Sequence, residues 1–226
     1  MTCSYLLKRN EIVADNERSY YRVQMRKGEQ TRTLILNEAV ALASQVGLEG
    51  LSIGSLAGRL AMSKSGLFAH FGSKEDLQLL TLKQAQTLFF EQVLSPALKQ
   101  ARGLPRLRAL FANWLAWVER NDDRPGGCLM LAASVEYDDR PGAVRDLLVA
   151  GQRELRGAIV KAIRIAIDEG HLGSQTDPWQ LSFELFGIVL ATHHDLRLLG
   201  DARALGRARN TLERLLEAHR PPAPGA

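Results

Sequence analysis

Apolar residues recur every three or four positions along most of this chain, the spacing of helices with one buried face, and sustained alternation is missing. Ile35, Ala39, Leu42 and Val46 form a first stripe, which Gly47 closes. Leu77, Leu80, Gln84 or Ala85, and Leu88 form a second, predicted to run to about Leu94, before Pro96. Leu107, Phe111, Trp114 and Val118 make a third, between Pro105 and the loop "NDDRPGG". A short apolar segment, "CLMLAASVEY", is followed by a long amphipathic stretch with Leu148, Leu155, Ile159, Ala162 and Ala166 on one face. Asp177 then Pro178 is a helix start, a cap followed by proline at the first helical position. Trp179, Phe183, Phe186, Leu190 and His194 line the face beyond it, up to Gly200. A last helix, from about Asp201, carries Leu205, Ala208, Leu212 and Leu215. The fold class is all-α.

The front of the chain breaks this rhythm with "SIGSLAGRLAMSKSGLFAHFGSKEDL". Ser52 caps a short helix over Ile53 to Leu60, and the turn Ala61-Met62-Ser63 leads into a second from Lys64 to Phe71. Two helices this short across so tight a turn predict a helix-turn-helix. Ile53, Leu56, Ala57, Leu60, Leu67, Phe68 and Phe71 would lock the pair. Ser63, Lys64, Ser65, Gly66, Ala69 and His70 are left outward, compact groups on a helix that suits the DNA major groove. Gly66 removes bulk there at about 1 kcal/mol of helix propensity against alanine. Ser73-Lys74-Glu75-Asp76 opens the next helix, and its free N–H groups with Lys74 form a phosphate clamp. Thr31, Arg32 and Ser52 offer anchors of the same kind.

Composition narrows the field without deciding it. A chain of 226 residues, 46% apolar and 24% charged, affords one large domain or two small ones. A net charge of +4 permits a polyanionic partner. Cys3 and Cys128 have neither disulfide nor metal spacing, which fits a reducing compartment. No apolar run reaches the length of a membrane span, and the opening residues do not read as a secretory signal, so a cytoplasmic protein is expected. Residues 1–26 lack a period and read as a flexible extension or a basic arm, with Met25 a second plausible start; residues 221–226 read as a disordered tail.

Residues 31 to 77 resemble the DNA-binding domain of the tetracycline-repressor (TetR) family of bacterial regulators, through the serine at the turn, Leu67, an aromatic, His70-Phe71 and Lys74. The resemblance implies a helix-turn-helix domain over 27–73 and a helical ligand-binding and dimerisation domain over 74–220. It implies a repressor that binds a near-palindromic operator in double-stranded DNA as a homodimer and answers to a small-molecule effector. No membrane role is expected without a span, and no cofactor or metal, since His193 and His194 are helix neighbours about 100° apart and cannot present both rings on one face. The resemblance places Ser63, Lys64, Ser65, Gly66 and Phe68 on the recognition helix, with His70 and Lys74 on phosphates. Two positions depart from the family pattern. Ala61 stands where glycine is usual, and Phe68-Ala69 replace a frequent tyrosine pair.

The rest of the chain matches only in architecture. The last two amphipathic helices offer Gly187, Leu190, Ala191, His194, Leu205, Ala208, Leu212 and Leu215 for a two-fold seam, or for their own core. Phe89, Phe111, Trp114, Trp117, Met130, Tyr137, Phe186 and His193 either line an effector pocket or form plain core. No catalytic motif is present, and Cys128 beside Gly126-Gly127 is the single nucleophile candidate, so an enzyme is not expected. The alternative to a DNA-binding regulator is a helical protein-interaction module.

Overall fold

The computed structural model describes residues 27–119 and 125–221; the expected N-terminal extension and the tail from 222 lie outside the described residues. By its contacts the chain divides into two units, residues 1–34 and 35–226. Of the first, the described part is the opening of helix α1 (Lys27–Val46), where Arg32 is exposed and Thr31 half-buried.

In the second unit α1 continues as far as Val46, with Ile35, Ala39 and Leu42 buried and Val46 exposed. Gly47 ends it with φ +80°, a backbone that only glycine adopts freely. Then come α2 (Ile53–Arg59), α3 (Lys64–Phe68) and α4 (Lys74–Phe89). The sequence predicts a helix that stops near Leu94, but the chain stays helical through a π turn (Phe90–Leu94) and a last turn, Ser95–Leu98. The Ser95 N–H reaches back to the Phe90 carbonyl just before Pro96. Widening the ladder there accommodates a residue that has no N–H to contribute.

Five further helices follow among the described residues: α5 (Leu104–Glu119), α6 (Leu129–Glu136), α7 (Ala143–Asp168), α8 (Pro178–His194) and α9 (Ala204–Ala218), the last packing against α5 and α8. Asp177 caps α8 as expected, accepting the Trp179 N–H at 2.8 Å. A π turn, Asp195–Leu199, extends α8 to Gly200 at φ +63°. Among the described residues there is no strand, and no helix is long and apolar enough to cross a membrane.

Two apolar clusters organise these helices. One joins α1–α4 to α6 and the start of α7, through Leu48, Leu56, Leu67, Phe71 and Leu77 on one side and Leu129, Ala133 and Tyr137 on the other. The second is aromatic and fills the space between α4, α5, α7 and α8. Both α4 and α6 therefore carry residues that belong to the short front helices as well as to the bundle behind them.

Candidate nucleic-acid interface

Local hydrogen bonding builds the short front helices. Ser52 caps α2: its hydroxyl accepts the Ser55 N–H at 3.1 Å, and the Ser55 hydroxyl accepts the Ser52 N–H at 3.2 Å. At the other end the Met62 N–H bonds the Ala57 carbonyl at 3.0 Å and the Ala61 N–H bonds Gly58 at 3.4 Å. That pair of bonds is a Schellman ending, which needs a left-handed residue at its hinge. Ala61 takes that role at φ +53°, the one non-glycine residue with positive φ among those described. Its side chain costs about 1–2 kcal/mol there. Ala61→Gly relieves the strain but frees the unfolded chain, so a net gain of about 0.5–1 kcal/mol is expected in urea unfolding. A loss would mean that the turn carries no strain.

Helix α3 is shorter than the sequence predicts. It ends at Phe68, and Ala69-His70 form a turn with the His70 N–H on Leu67 and the Phe71 N–H on Phe68, three residues back. Ser63 caps it, accepting the Gly66 N–H at 3.1 Å. A Cβ on Gly66 would lie 3.0 Å from that Ser63 hydroxyl, so the glycine also makes room for the cap. Leu67 and Phe71 are buried as predicted, but Phe68 is 55% exposed. It is a correction to the expected core: Phe68 stands outward with Ser63, Lys64, Ser65 and Ala69. The stem of Lys64 leans over α2, where a Cβ on Gly54 would meet its Cε at 3.5 Å. His70 is half-buried, its ring 6.2 Å from that of Phe71.

Lys74 is not a free cation. Its ammonium donates to Glu49 Oε1 at 2.6 Å, while the other oxygen of Glu49 accepts the Tyr137 hydroxyl at 2.8 Å and the Gln78 amide at 3.3 Å. Gln78 also donates to the Leu48 carbonyl at 3.0 Å. Glu136, beside Tyr137, accepts the N–H groups of Leu48 and Glu49, each at 2.8 Å. These bonds tie the connection between α1 and α2 to α4 and to the end of α6. Lys74, then Tyr137 and Gln78, hold the Glu49 carboxyl down to about 2 from 4.5, whereas burial and Glu49 raise the Tyr137 phenol.

A carboxyl whose pKa falls on folding stabilises the fold above its ordinary value, and that contribution disappears as pH drops from 4.5 through about 2. Glu49 is about half exposed, so solvent limits the contribution to below about 1 kcal/mol. The Glu49 carboxyl resonance is expected to titrate near pH 2 and to move up in Lys74→Met. An unchanged midpoint in that variant would remove the ion pair as its cause.

Comparison with known proteins bears on the same elements. The model for the N-terminal domain of bacterial regulatory proteins of the tetR family matches residues 35–79, and the tetracyclin repressor-like C-terminal domain matches 103–212. The chain belongs to the TetR family. It is a transcriptional regulator with an N-terminal DNA-binding domain. Among solved structures it is similar to a TetR regulator from Chloroflexus aurantiacus, 24% identical over 85% of this chain and 96% of the other, TM-score 0.71. It is similar too to AibR, solved with isovaleryl coenzyme A and operator DNA, at 26% identity, 84% and 99% coverage and TM-score 0.66. A third, from Saccharomonospora viridis in complex with choline, is 21% identical over 83% and 96%, TM-score 0.67. No curated protein sequence matches significantly.

Behind the reading head of this TetR-family chain, five of the expected pocket residues come together as packed core. Trp114 is edge-on to Phe89 and Phe186 at 5.4 and 5.6 Å, Phe89 meets Trp117 at 5.7 Å, and Phe111 lies 5.9 Å from Trp114. Met130 touches both apolar clusters. Tyr137 lies elsewhere, in the joint with the front helices, because its hydroxyl finds Glu49 there. His193 sits against Gly127, where a Cβ would lie 3.1 Å from its Nε2, and burial lowers its pKa. Glu49, Gln78 and Glu136 are the site residues that sequence reasoning missed. A polar pair at the end of α6 was the available signal.

The expected seam also divides. Leu205, Ala208 and Leu212 are buried within their own chain, and Leu215 packs beside them. Their stripe is used up by α5 and α8. On α8, by contrast, Gly187, Leu190, Ala191 and His194 are exposed, continuous with Trp179 and Phe183. The helix is apolar on two sides, with Leu181, Leu185, Phe186 and Val189 turned inward.

Proposed function

We propose that this chain is a ligand-responsive repressor that binds a near-palindromic operator as a homodimer, with a head over 27–73 and an effector and dimer domain over 74–220. The outward row of Ser63, Lys64, Ser65 and Phe68 on a two-turn unit held by its own caps carries the reading. Ser63, Lys64, Ser65 and Gly66 are the base-reading set, with Phe68 suited to a thymine methyl. Thr31, Arg32, Ser52, His70 and Lys74 serve as phosphate anchors, Lys74 after sharing its ammonium with Glu49.

The free stripe of α8, from Trp179 through Phe183 to Leu190, supports a two-fold pairing of this helix with its copy. Phe183→Glu is expected to turn the dimer into monomers in sedimentation; a variant that stays dimeric would place the seam elsewhere.

Choline and isovaleryl coenzyme A in the two relatives support an effector in the helical domain. Helix α7 packs against α4, α5, α6 and α8, so a shift there reaches Glu136 and Tyr137 and, through them, the loop before α2. The coupling is between two sites through one shared element.

The test is fluorescence anisotropy with duplex from upstream of this protein's own gene and with scrambled duplex, at two salt concentrations. Specific binding about a thousandfold tighter, weakening steeply with salt, is expected. Ser65 variants should change sequence preference. Equal, weak binding to duplexes tiled across the whole upstream region would favour the helical interaction module instead.

A further inference from the structure

Among the described residues, three hydrogen-bonding groups beside Phe186 in the aromatic cluster have no acceptor. The Arg156 guanidinium lies over its ring, 3.8 Å from the centroid, and no carboxylate among the described residues pairs with it. Trp114, 1% exposed, meets the same ring edge-on, and its Nε1–H has no acceptor among the described residues. Ser182 precedes Phe186 by one helical turn, 1% exposed, and its hydroxyl also lacks a partner. Buried polar groups are paired in almost every native interior, so a cluster of donors around one ring marks a place for a missing acceptor.

Charge narrows what that acceptor is. Burial lowers the Arg156 pKa, yet a guanidinium stays charged at any physiological pH. An aromatic face free of cations suits a quaternary ammonium, but here the cation place over Phe186 is already taken by the protein's own arginine. A second cation would meet repulsion. A planar carboxylate matches the guanidinium fork, and the aromatic rings beneath suit an apolar tail. Glu154 is the acceptor on α7 that lacks a donor, but two residues from Arg156 it points about 200° round the helix. Arg156 is only half-buried and covers a ring that is 6% exposed, so a ligand from solvent meets the guanidinium first.

We propose that the effector is an apolar carboxylic acid. Arg156 binds its carboxylate, Trp114 and Ser182 donate to its oxygens, and its tail enters between Phe186 and Trp114 as the guanidinium leaves the ring. This rests on the effector reading above and gives it a ligand chemistry.

Calorimetry on the full chain without DNA tests it with three probes of one tail length: octanoate, octanamide and octyltrimethylammonium. Octanoate is expected to bind at least about tenfold tighter than the other two, the scale of a charge-assisted pair. Arg156→Gln should erase the preference and Arg156→Lys should keep part of it. Trp114→Phe, which retains a ring but loses the N–H, should cut octanoate affinity about threefold, the lower range of one neutral hydrogen bond. Equal binding of the three probes, no binding of any, or an unchanged preference in a folded Arg156→Gln would overturn the proposal. Release of operator duplex is then read separately by anisotropy. Release by the cation or the amide, without carboxylate selectivity in calorimetry, would overturn the carboxylate and leave the effector reading standing; carboxylate-selective binding that releases no operator would do the reverse.

Discussion

Trp114→Ala is expected to destabilise the protein by about 3–5 kcal/mol, the range for deleting a large aromatic from a closed interior. Trp114 is 1% exposed and meets Phe89, Phe111 and Phe186 within 6 Å, so its removal leaves a cavity that four helices share. Against a total stability of about 5–15 kcal/mol, that is a large fraction. Urea unfolding of the variant should show it as a lowered midpoint. Trp114→Phe keeps most of the ring contact and should lose only about 1–2 kcal/mol, since a smaller void remains. A loss below about 1 kcal/mol for the alanine variant would mean that the aromatic cluster is already an open pocket in solution.

Glu136→Ala is the second large effect, with an expected loss of about 2–3 kcal/mol. The carboxylate accepts two backbone N–H groups, Leu48 and Glu49, at 2.8 Å, where α1 has ended and α2 has not begun. Hydrogen bonds to a charged acceptor contribute about 1.5–3 kcal/mol each, but water reaches the Glu49 bond and lowers its share. Gly47 lies against the Glu136 carboxylate, 3.1 Å from where a Cβ on it would be, and has no side chain to replace it. The variant should also lose operator affinity, because the loop that sets the angle of α2 is no longer held from behind. Hydrogen exchange at the Leu48 and Glu49 amides reads the effect directly. Protection of both amides equal to that of the parent would show that the staple is dispensable.

These two residues differ in how far the sequence could carry them. Trp114 was legible as part of one apolar helix face, because its period with Leu107, Phe111 and Val118 lies within one helix, while pocket or core stayed open. Its lack of an acceptor was not, since that depends on what three other helices bring near it. Glu136 stood out as polar at the end of an apolar segment, yet its partners lie 88 and 87 positions earlier. No spacing rule reaches across that distance.

What the sequence determined by itself is what neighbours within about four residues decide: the caps at Ser52 and Asp177, the stop at Gly47, and the tight turn between α2 and α3. Such features rest on bonds between near neighbours, so residue type and spacing are sufficient to read them. Only the tertiary structure decided which of two apolar stripes on α8 faces in, that α9 spends its stripe on its own chain, and that Lys74 is paired with Glu49. Each of those outcomes is a competition among surfaces distant in sequence. Burial goes to whichever faces fit, and periodicity alone shows that a face is apolar, not what covers it.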